Sequence, residues 1–266
     1  MGNHIRESRK THSHFDEYAR LRDFSAVRDE VKSRFLHKYV YWRLWEDMIL
    51  GSISPYLKPT SFVLDAGCGT GELSSMIKNY TGQIIPVDYS RECVKRTTRK
   101  VGISIMADAK HLPFRSGSFD IVISCEVIEH LESPVQAIKE LVRVCKREGT
   151  ICITTPNALS AFLPTYWGSL LRHPLKWIQR FQGKLSWSTI PTDFWIFPWK
   201  LRSWLQHFRV SIVKHRYFFL LTDQSLVIRF ALKYLSPDAL RNFIYSVEKF
   251  EIIPLGIRQL ILGKKL

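Results

Sequence analysis

The sequence predicts a doubly wound α/β fold built on a mostly parallel sheet of seven strands. Short apolar runs typical of buried strands alternate with helical stretches from residue 61 to 156, and the alternation resumes near residue 199. A glycine-rich loop directly follows the first of these runs. The composition, 45% hydrophobic and 24% charged, excludes a disordered or fibrous chain. Because parallel strands require crossover connections, this alternation indicates right-handed βαβ units.

Hydrophobic periodicity gives the individual elements. The expected strands span residues 61–65, 83–87, 103–107, 119–125, 150–155, 210–219 and 257–262. The expected helices between and after them span residues 72–80, 91–100, 133–146, 199–208 and 238–250. At the N-terminus, an apolar stripe from Phe35 to Ile49 predicts an amphipathic helix that ends at Gly51 and Pro55.

These elements divide the chain into an N-terminal helical extension, residues 1–50, and one α/β domain, residues 51–266. Five cysteines are scattered without a CxxC pair, which is typical of a reducing compartment. The longest apolar stretch, residues 217–235, is interrupted by four polar residues and Arg229, which argues against a membrane-spanning helix. We therefore expect a cytoplasmic protein.

The loop after the first strand reads Asp65-Ala66-Gly67-Cys68-Gly69-Thr70-Gly71. In an open α/β sheet, ligands bind at the carboxyl ends of the strands, so this loop is the expected binding site. The dinucleotide fingerprint would need a third glycine at position 72, where this chain has Glu72. A carboxylate at that position would also repel a pyrophosphate, which argues against a dinucleotide.

Carboxylates end the first three strands and suit a different ligand. Asp65 suits a cationic ammonium group, Asp88 can accept both hydroxyls of a ribose, and Asp108, followed by Ala109, can accept an adenine amino group. Ammonium, ribose and adenine together describe S-adenosylmethionine. The residues expected to bind this cofactor are Asp65, Gly67, Cys68, Gly69, Thr70, Gly71, Asp88, Tyr89, Asp108 and Ala109.

Five motifs in this order resemble the class I S-adenosylmethionine-dependent methyltransferases. They are residues 63–71, 87–90, 108–114, 118–120 and 127–131. The resemblance is closest to the type 11-like branch, which includes quinone, lipid and small-molecule methyltransferases. It is specific over about residues 50–156 and looser beyond them. It implies a Rossmann-like methyltransferase fold and transfer of a methyl group to a small-molecule or lipid-like acceptor.

Glu126, Glu129 and His130 follow the fourth strand, which borders the methyl-acceptor side in this fold. If the segment begins a helical turn, the three side chains share one face and form the candidate catalytic cluster. A base role for His130, a divalent metal and a purely structural turn all remain open. The same letters resemble a metal cluster of RNA 3′-terminal ribose methyltransferases, but the further His of those enzymes is missing from the roughly corresponding residues 193–195. No metal is therefore assigned.

The net charge of +15 is concentrated in one part of the chain: residues 149–222 contain nine Lys and Arg against one Asp. Within this part, residues 157–192 interrupt the strand–helix alternation as a basic, aromatic insertion. Its cations recur at a spacing of four and its aromatics lie between and around them. The insertion is expected to be an acceptor-side lid, a contact to an anionic membrane at the inner face, or, as a third interpretation, a nucleic-acid surface. The first two are compatible with each other.

Two alternatives to a small-molecule methyltransferase follow from the same residues. The basic aromatic insertion allows an RNA methyltransferase, and the fold also allows a non-catalytic subunit that binds the cofactor. The acceptor, the methylated atom and the oligomeric state do not follow from the sequence.

Overall fold

A computed structural model describes residues 43–162, 195–218 and 256–266, together with the single residues Tyr234, Ala239, Asn242 and Ser246. Seven strands form one sheet in the order β3-β2-β1-β4-β5-β7-β6. They are β1 Phe62–Ala66, β2 Gln83–Asp88, β3 Ile105–Met106, β4 Phe119–Cys125, β5 Cys145–Pro156, β6 Val210–Phe218 and β7 Arg258–Lys265. The predicted seven-stranded α/β fold is confirmed.

The α-helices of the described residues are α1 (residues 43–53), α2 Glu72–Lys78, α3 Arg91–Val101, α4 Pro134–Val144 and α5 Pro198–His207. Short 3₁₀ turns span Ser54–Tyr56, Ile128–His130 and Ala158–Phe162. The single residues Ala239, Asn242 and Ser246 are helical, whereas the rest of the helix predicted over residues 238–250 lies outside the described residues. The predicted extension over residues 1–50 is described only from residue 43.

Contacts among the described residues divide the chain into two compact units. The first comprises Met1–Ser124 and Glu140–Thr150. In it, β1 pairs in parallel with β2 and β4, and β2 pairs in parallel with β3. Helices α2 and α3 pack on β2 and on each other. The core of this unit includes an aromatic pair, Phe62 and Phe119, whose ring centroids lie 4.7 Å apart.

The second unit comprises Cys125–Lys139 and Ile151–Leu266. Its strands β6 and β7 pair antiparallel, with a register shift between Ile212 and Lys214. Helix α5 packs against β6. It buries the apolar positions Pro198, Leu201 and Leu205, whose spacing of three and four places them on one helical face.

Several predicted boundaries were wrong, among them those of α1, β3 and β5. Helix α1 continues through Gly51 to residue 53, and Pro55 lies in the 3₁₀ turn that follows it. Strand β3 has two residues rather than five, since it is the edge strand and both Ile103 and Met106 are exposed. Strand β5 begins at Cys145 rather than Thr150, directly after α4.

Candidate functional site

The glycine loop of the first unit turns sharply from β1 into α2. Gly67, Gly69 and Gly71 all have positive φ angles, of 88°, 55° and 83°. Gly71 is the N-cap of α2, and a Cβ added there would lie 2.8 Å from the Thr97 side chain. A larger residue at Gly71 would therefore suffer both backbone strain and a steric clash.

Thr97 supports this loop, a role that the sequence alone did not predict. It lies in α3, where its Oγ1 donates to the Gly69 carbonyl at 2.9 Å and accepts a weak 3.7 Å contact from the Cys68 thiol. Thr97 is fully buried. A threonine inside a helix has no sequence signature that separates this role from ordinary packing, so only the fold could reveal it.

Asp88 ends β2 and holds the glycine loop directly. Its Oδ2 accepts a hydrogen bond from the Gly69 amide at 2.8 Å, and its Oδ1 accepts one from the Ser90 amide at the same distance. Carboxylates that accept main-chain N–H groups make strong, charge-assisted bonds. The structure thus brings the predicted ribose-binding residue and the predicted loop into contact. The next residue, Tyr89, is an exposed aromatic.

Asp65, at the end of β1, is 1% exposed. Its Oδ2 accepts a 2.5 Å hydrogen bond from Ser74 Oγ of α2. Burial raises the pKa of Asp65 to about 6, because the hydrogen bond from Ser74 lowers it less than burial raises it and the negative charge of Asp88 adds to the rise. A nearby cation would favour the ionised form of this carboxyl.

Asp108 and Ala109 follow β3 and lie two and three residues beyond its last residue, Met106. Asp108 Oδ1 accepts from the Lys110 amide at 2.8 Å, and the preceding residue, Ala107, donates its amide to the Asp88 carbonyl at 3.0 Å. Since β3, β2 and β1 are neighbours in the sheet, Asp108, Asp88 and Asp65 follow or end three adjacent parallel strands at the same edge. This is the arrangement that the sequence predicted.

Glu72 and Cys68 have simpler roles than their positions suggested. Glu72 accepts from Thr70 Oγ1 and pairs with Lys100 Nζ, both at 2.5 Å, so its charge is neutralised beside the loop. Burial, together with the charges of Asp88 and Asp65, raises the pKa of the Cys68 thiol. Cys68 is therefore a neutral, buried thiol rather than a nucleophile.

Glu126 belongs to the second unit and does not join a helical face with Glu129 and His130, so this prediction was wrong. Glu126 has a left-handed φ of 56°, and the 3₁₀ turn begins only at Ile128. Its amide donates to the Thr154 carbonyl at 3.1 Å, while Thr154 Oγ1 donates to Glu126 Oε1 at 2.9 Å. The other carboxylate oxygen of Glu126 pairs with the guanidinium of Arg258 from β7.

Glu129 and His130 do remain together. Glu129 is 1% exposed, and its Oε2 accepts a 3.1 Å hydrogen bond from Thr155 Oγ1 of β5. His130 Nε2 lies 3.9 Å from Glu129 Oε1. The His130 side chain is 18% exposed, which leaves it more accessible than the carboxylate beside it. Among the residues with described positions, no three His, Cys, Asp or Glu side chains form a group that could hold a metal.

The predicted insertion, residues 157–192, lies outside the described residues from 163 onward, as do its recurring cations. The two chain ends that flank it are described and meet at Gln259 of β7. Gln259 Nε2 donates to the Ile196 carbonyl at 2.6 Å and lies 3.5 Å from the Pro156 carbonyl. Asn157 forms a parallel bridge with Ile196 and donates from Nδ2 to the Gly256 carbonyl at 2.8 Å. The described residues on both sides of the insertion are therefore held by buried polar contacts.

In the part of the chain with described coordinates, no helix combines the length and apolar character needed to cross a membrane.

Comparison with known proteins identifies the segment that contains the glycine loop. Residues 64–153 match the family model of the methyltransferase domain. A probable S-adenosylmethionine-dependent methyltransferase of Mycobacterium tuberculosis is 30% identical over 122 residues, which cover 45% of this chain and 44% of that protein. The 2-methyl-6-phytyl-1,4-hydroquinone methyltransferase of Synechocystis is 31% identical over 154 residues, 55% of this chain and 45% of that protein. The chain thus spans less than half the length of these curated relatives.

Among solved structures, an S-adenosylmethionine-dependent methyltransferase from Archaeoglobus fulgidus is similar with a TM-score of 0.53 and 24% identity, covering 84% of this chain and 94% of that one. This likeness supports the fold alone. The family match includes Asp65, the glycine loop, Asp88 and Asp108. Residues 64–153 therefore form a methyltransferase domain of the type 11 branch of the class I S-adenosylmethionine-dependent methyltransferases.

Proposed function

We propose that this protein is an enzyme that transfers the methyl group of S-adenosylmethionine to a small-molecule or lipid-like acceptor. The observation that carries the proposal is the contact between Asp88 and the glycine loop, with Asp65 and Asp108 at the same edge of adjacent strands. These residues lie inside the segment that matches the methyltransferase family. Without these residues, the similarity of the fold alone would not identify a ligand.

The residues of the first unit fit the three polar parts of the cofactor. Asp65, buried and with a raised pKa, favours a ligand that brings a positive charge, as the ammonium of the cofactor does. Asp88 accepts two main-chain hydrogen bonds, and its oxygens have further lone pairs for the ribose hydroxyls. Asp108 provides the acceptor for the adenine amino group. The positive φ angles of Gly67, Gly69 and Gly71 allow the backbone to approach the ligand closely.

S-adenosylmethionine supplies a methyl group on a sulfonium, which is already a good leaving group. The chain then needs to align the acceptor, exclude water and, for a hydroxyl acceptor, remove one proton. We assign the removal of this proton to His130. Glu129, which is buried beside it, favours the protonated imidazole that results. Glu126 is excluded from this step, because both of its carboxylate oxygens are engaged by Thr154 and Arg258.

The acceptor class rests on the resemblance to the type 11 branch and on the Synechocystis relative, which is named for a phytyl-substituted hydroquinone substrate. That relative is matched over less than half its length, so we propose only the class of acceptor and not the hydroquinone itself. Residues 157–192 are proposed as the cap on the acceptor side. Their polar attachment at Gln259 and Asn157 gives such a cap two fixed ends.

The test is methyl transfer from isotopically labelled S-adenosylmethionine to three fractions of a cell extract: polar small molecules, lipids and RNA. We expect label in the small-molecule or lipid fraction, together with formation of S-adenosylhomocysteine. Label in RNA would instead make the protein an RNA methyltransferase. Cofactor binding without any transfer would leave a non-catalytic subunit. Asp88→Ala is the negative control for cofactor dependence.

A further inference from the structure

Helix α5, Pro198–His207, presents an exposed face that combines cations with a large aromatic side chain. The helix buries Pro198, Leu201 and Leu205. Its exposed positions are Trp199, Lys200, Arg202, Ser203, Gln206 and His207. None of these residues is acidic, and one is a tryptophan that is 58% exposed. We call these six residues the α5 face.

The α5 face places one exposed aromatic between cations. With 3.6 residues per turn, Trp199 lies near the middle of the exposed arc, Arg202 on one side of it and Lys200 on the other. Trp199 stacks on Phe197, with ring centroids 4.5 Å apart, so its position is fixed although it is exposed. Tryptophan is enriched at membrane–water interfaces, and Lys and Arg are attracted to the surface of anionic lipid.

The charge around the α5 face is of one sign. Residues 195–218 contain five Lys and Arg and no Asp or Glu. Four of these cations are exposed, namely Lys200, Arg202, Arg209 and Lys214. Within the described ranges, no carboxylate lies within salt-bridge distance of them, whereas the α3 cations Arg96 and Lys100 pair with Glu92 and Glu72. The positive potential of this surface is therefore not neutralised by a carboxylate of the described ranges.

We propose that the α5 face docks the protein on the surface of an anionic phospholipid bilayer. The inference deepens the proposed function, because a lipid-like acceptor would be met at such a surface, but its test does not measure methyl transfer. Single-stranded RNA is disfavoured by the same geometry. RNA-binding surfaces stack successive bases on several aromatic rings, and one face of Trp199, the large exposed aromatic of this helix, is covered by Phe197.

The experiment is sedimentation of the full chain with vesicles of phosphatidylcholine alone and with vesicles that also contain phosphatidylglycerol, at low and high salt. We expect binding to the anionic vesicles only, weakened by salt. The variant Lys200→Gln/Arg202→Gln should bind about thirtyfold more weakly, since each cation near an anionic surface strengthens binding about five- to sixfold. Trp199→Ala should weaken binding roughly tenfold through loss of partial burial of one large side chain.

Matched controls come from the first unit. Lys95→Gln/Arg99→Gln removes two exposed cations of α3, and Tyr80→Ala removes an aromatic that is 46% exposed. Both should leave vesicle binding unchanged. Equal losses in the α3 and α5 charge variants would mean that net charge alone drives binding and would overturn the proposal. Unchanged binding of the α5 variants would also overturn it.

Two further outcomes would overturn the inference. One is absence of wild-type binding to anionic vesicles at low salt. The other is salt-sensitive binding to a single-stranded RNA probe without binding to vesicles. Calorimetric S-adenosylhomocysteine affinity, measured on every variant, should stay at the wild-type value and shows that the variants are folded. Failure of the proposed function would appear as absent cofactor binding or absent turnover in the wild type. Both measurements are independent of whether the chain sediments with vesicles.

Discussion

Arg258, at the start of β7, pairs its guanidinium with the carboxylate of Glu126, which directly follows β4. The two residues are 132 positions apart in sequence. Their side chains are 21% and 12% exposed, so the pair is largely removed from water. Glu126 also has a positive φ of 56°, which is uncommon for a residue with a Cβ and requires support from its surroundings. The pair and the Thr154 hydrogen bonds provide that support.

The first prediction concerns this pair. Arg258→Ala should lower the free energy of unfolding by about 2 to 4 kcal/mol, because it leaves a mostly buried carboxylate without its partner. In the background of Glu126→Gln the same change should cost clearly less, since the charge is already gone. Urea denaturation of the four proteins of this cycle measures the coupling.

The exposed pair between Lys146 and Asp120 is the control for the first prediction. Its side chains are 45% and 37% exposed, so Lys146→Ala should cost less than about 1 kcal/mol. Additive effects in the Arg258 and Glu126 cycle would show that the two side chains do not stabilise each other and would contradict the assigned contact.

The second prediction concerns Asp88. Asp88→Ala should weaken S-adenosylmethionine binding about ten- to a hundredfold, because it removes the proposed charge-assisted contact to the ribose and also frees the Gly69 amide. Isothermal titration calorimetry gives the affinity. Asp120→Ala is a matched control: Asp120 also accepts a main-chain N–H, from Phe62 at 2.9 Å, but it lies near the amino end of β4. An affinity loss equal in both variants would refute the ribose assignment.

The third prediction follows from Asp65, whose pKa burial raises to about 6 from an ordinary value of 3.8. Between these two values the folded chain binds more protons than the unfolded chain, so the contribution of this group to stability falls as pH rises through that window. A bound cation lowers the pKa again, so binding of the cofactor ammonium should release a proton at acidic pH. Affinity should therefore rise with pH up to about pH 6 and level off above it.

Calorimetry in buffers of different ionisation enthalpy detects the released proton directly. Asp65→Asn cannot ionise, so its affinity should be lower at neutral pH and should not vary with pH in this window. Wild-type affinity that is constant from about pH 5 to pH 7 would show that Asp65 does not respond to the charge of the ligand.

The glycine loop and its three carboxylates could be predicted because their signals are local. Apolar runs end in Asp65, Asp88 and Asp108, and a parallel sheet places the ends of neighbouring strands at one edge. The residues that support this loop could not be predicted in the same way. Ser74 and Thr97 are small polar residues in helices, and their partners depend on how α2 and α3 pack.

Long-range pairing also explains why the prediction of one helical face for Glu126, Glu129 and His130 was wrong. A helical turn after β4 was a reasonable expectation from the spacing of Glu126, Glu129 and His130. The structure instead fixes Glu126 through Thr154 and Arg258, and neither residue is near it in sequence. Glu129 is likewise buried against Thr155, although a glutamate next to a histidine has no local feature that indicates burial.

The last prediction separates catalysis from structure at His130. His130→Ala should lower kcat on a hydroxyl acceptor by about a hundredfold or more, as expected for loss of a general base, while the Kd for S-adenosylmethionine stays within a few fold. Glu129→Gln keeps the size of the side chain and its hydrogen bond from Thr155, so it should lower kcat without a large loss of stability. Thr155→Val removes only that hydrogen bond and is the structural control, expected to lower stability by about 1 kcal/mol and to change kcat little.

If His130→Ala and Glu129→Gln reduce the melting temperature while turnover per folded molecule remains normal, the two residues form a structural turn and the proton is removed elsewhere. Restored turnover of His130→Ala at high pH or with added imidazole would support the base role, because an external base then takes the proton.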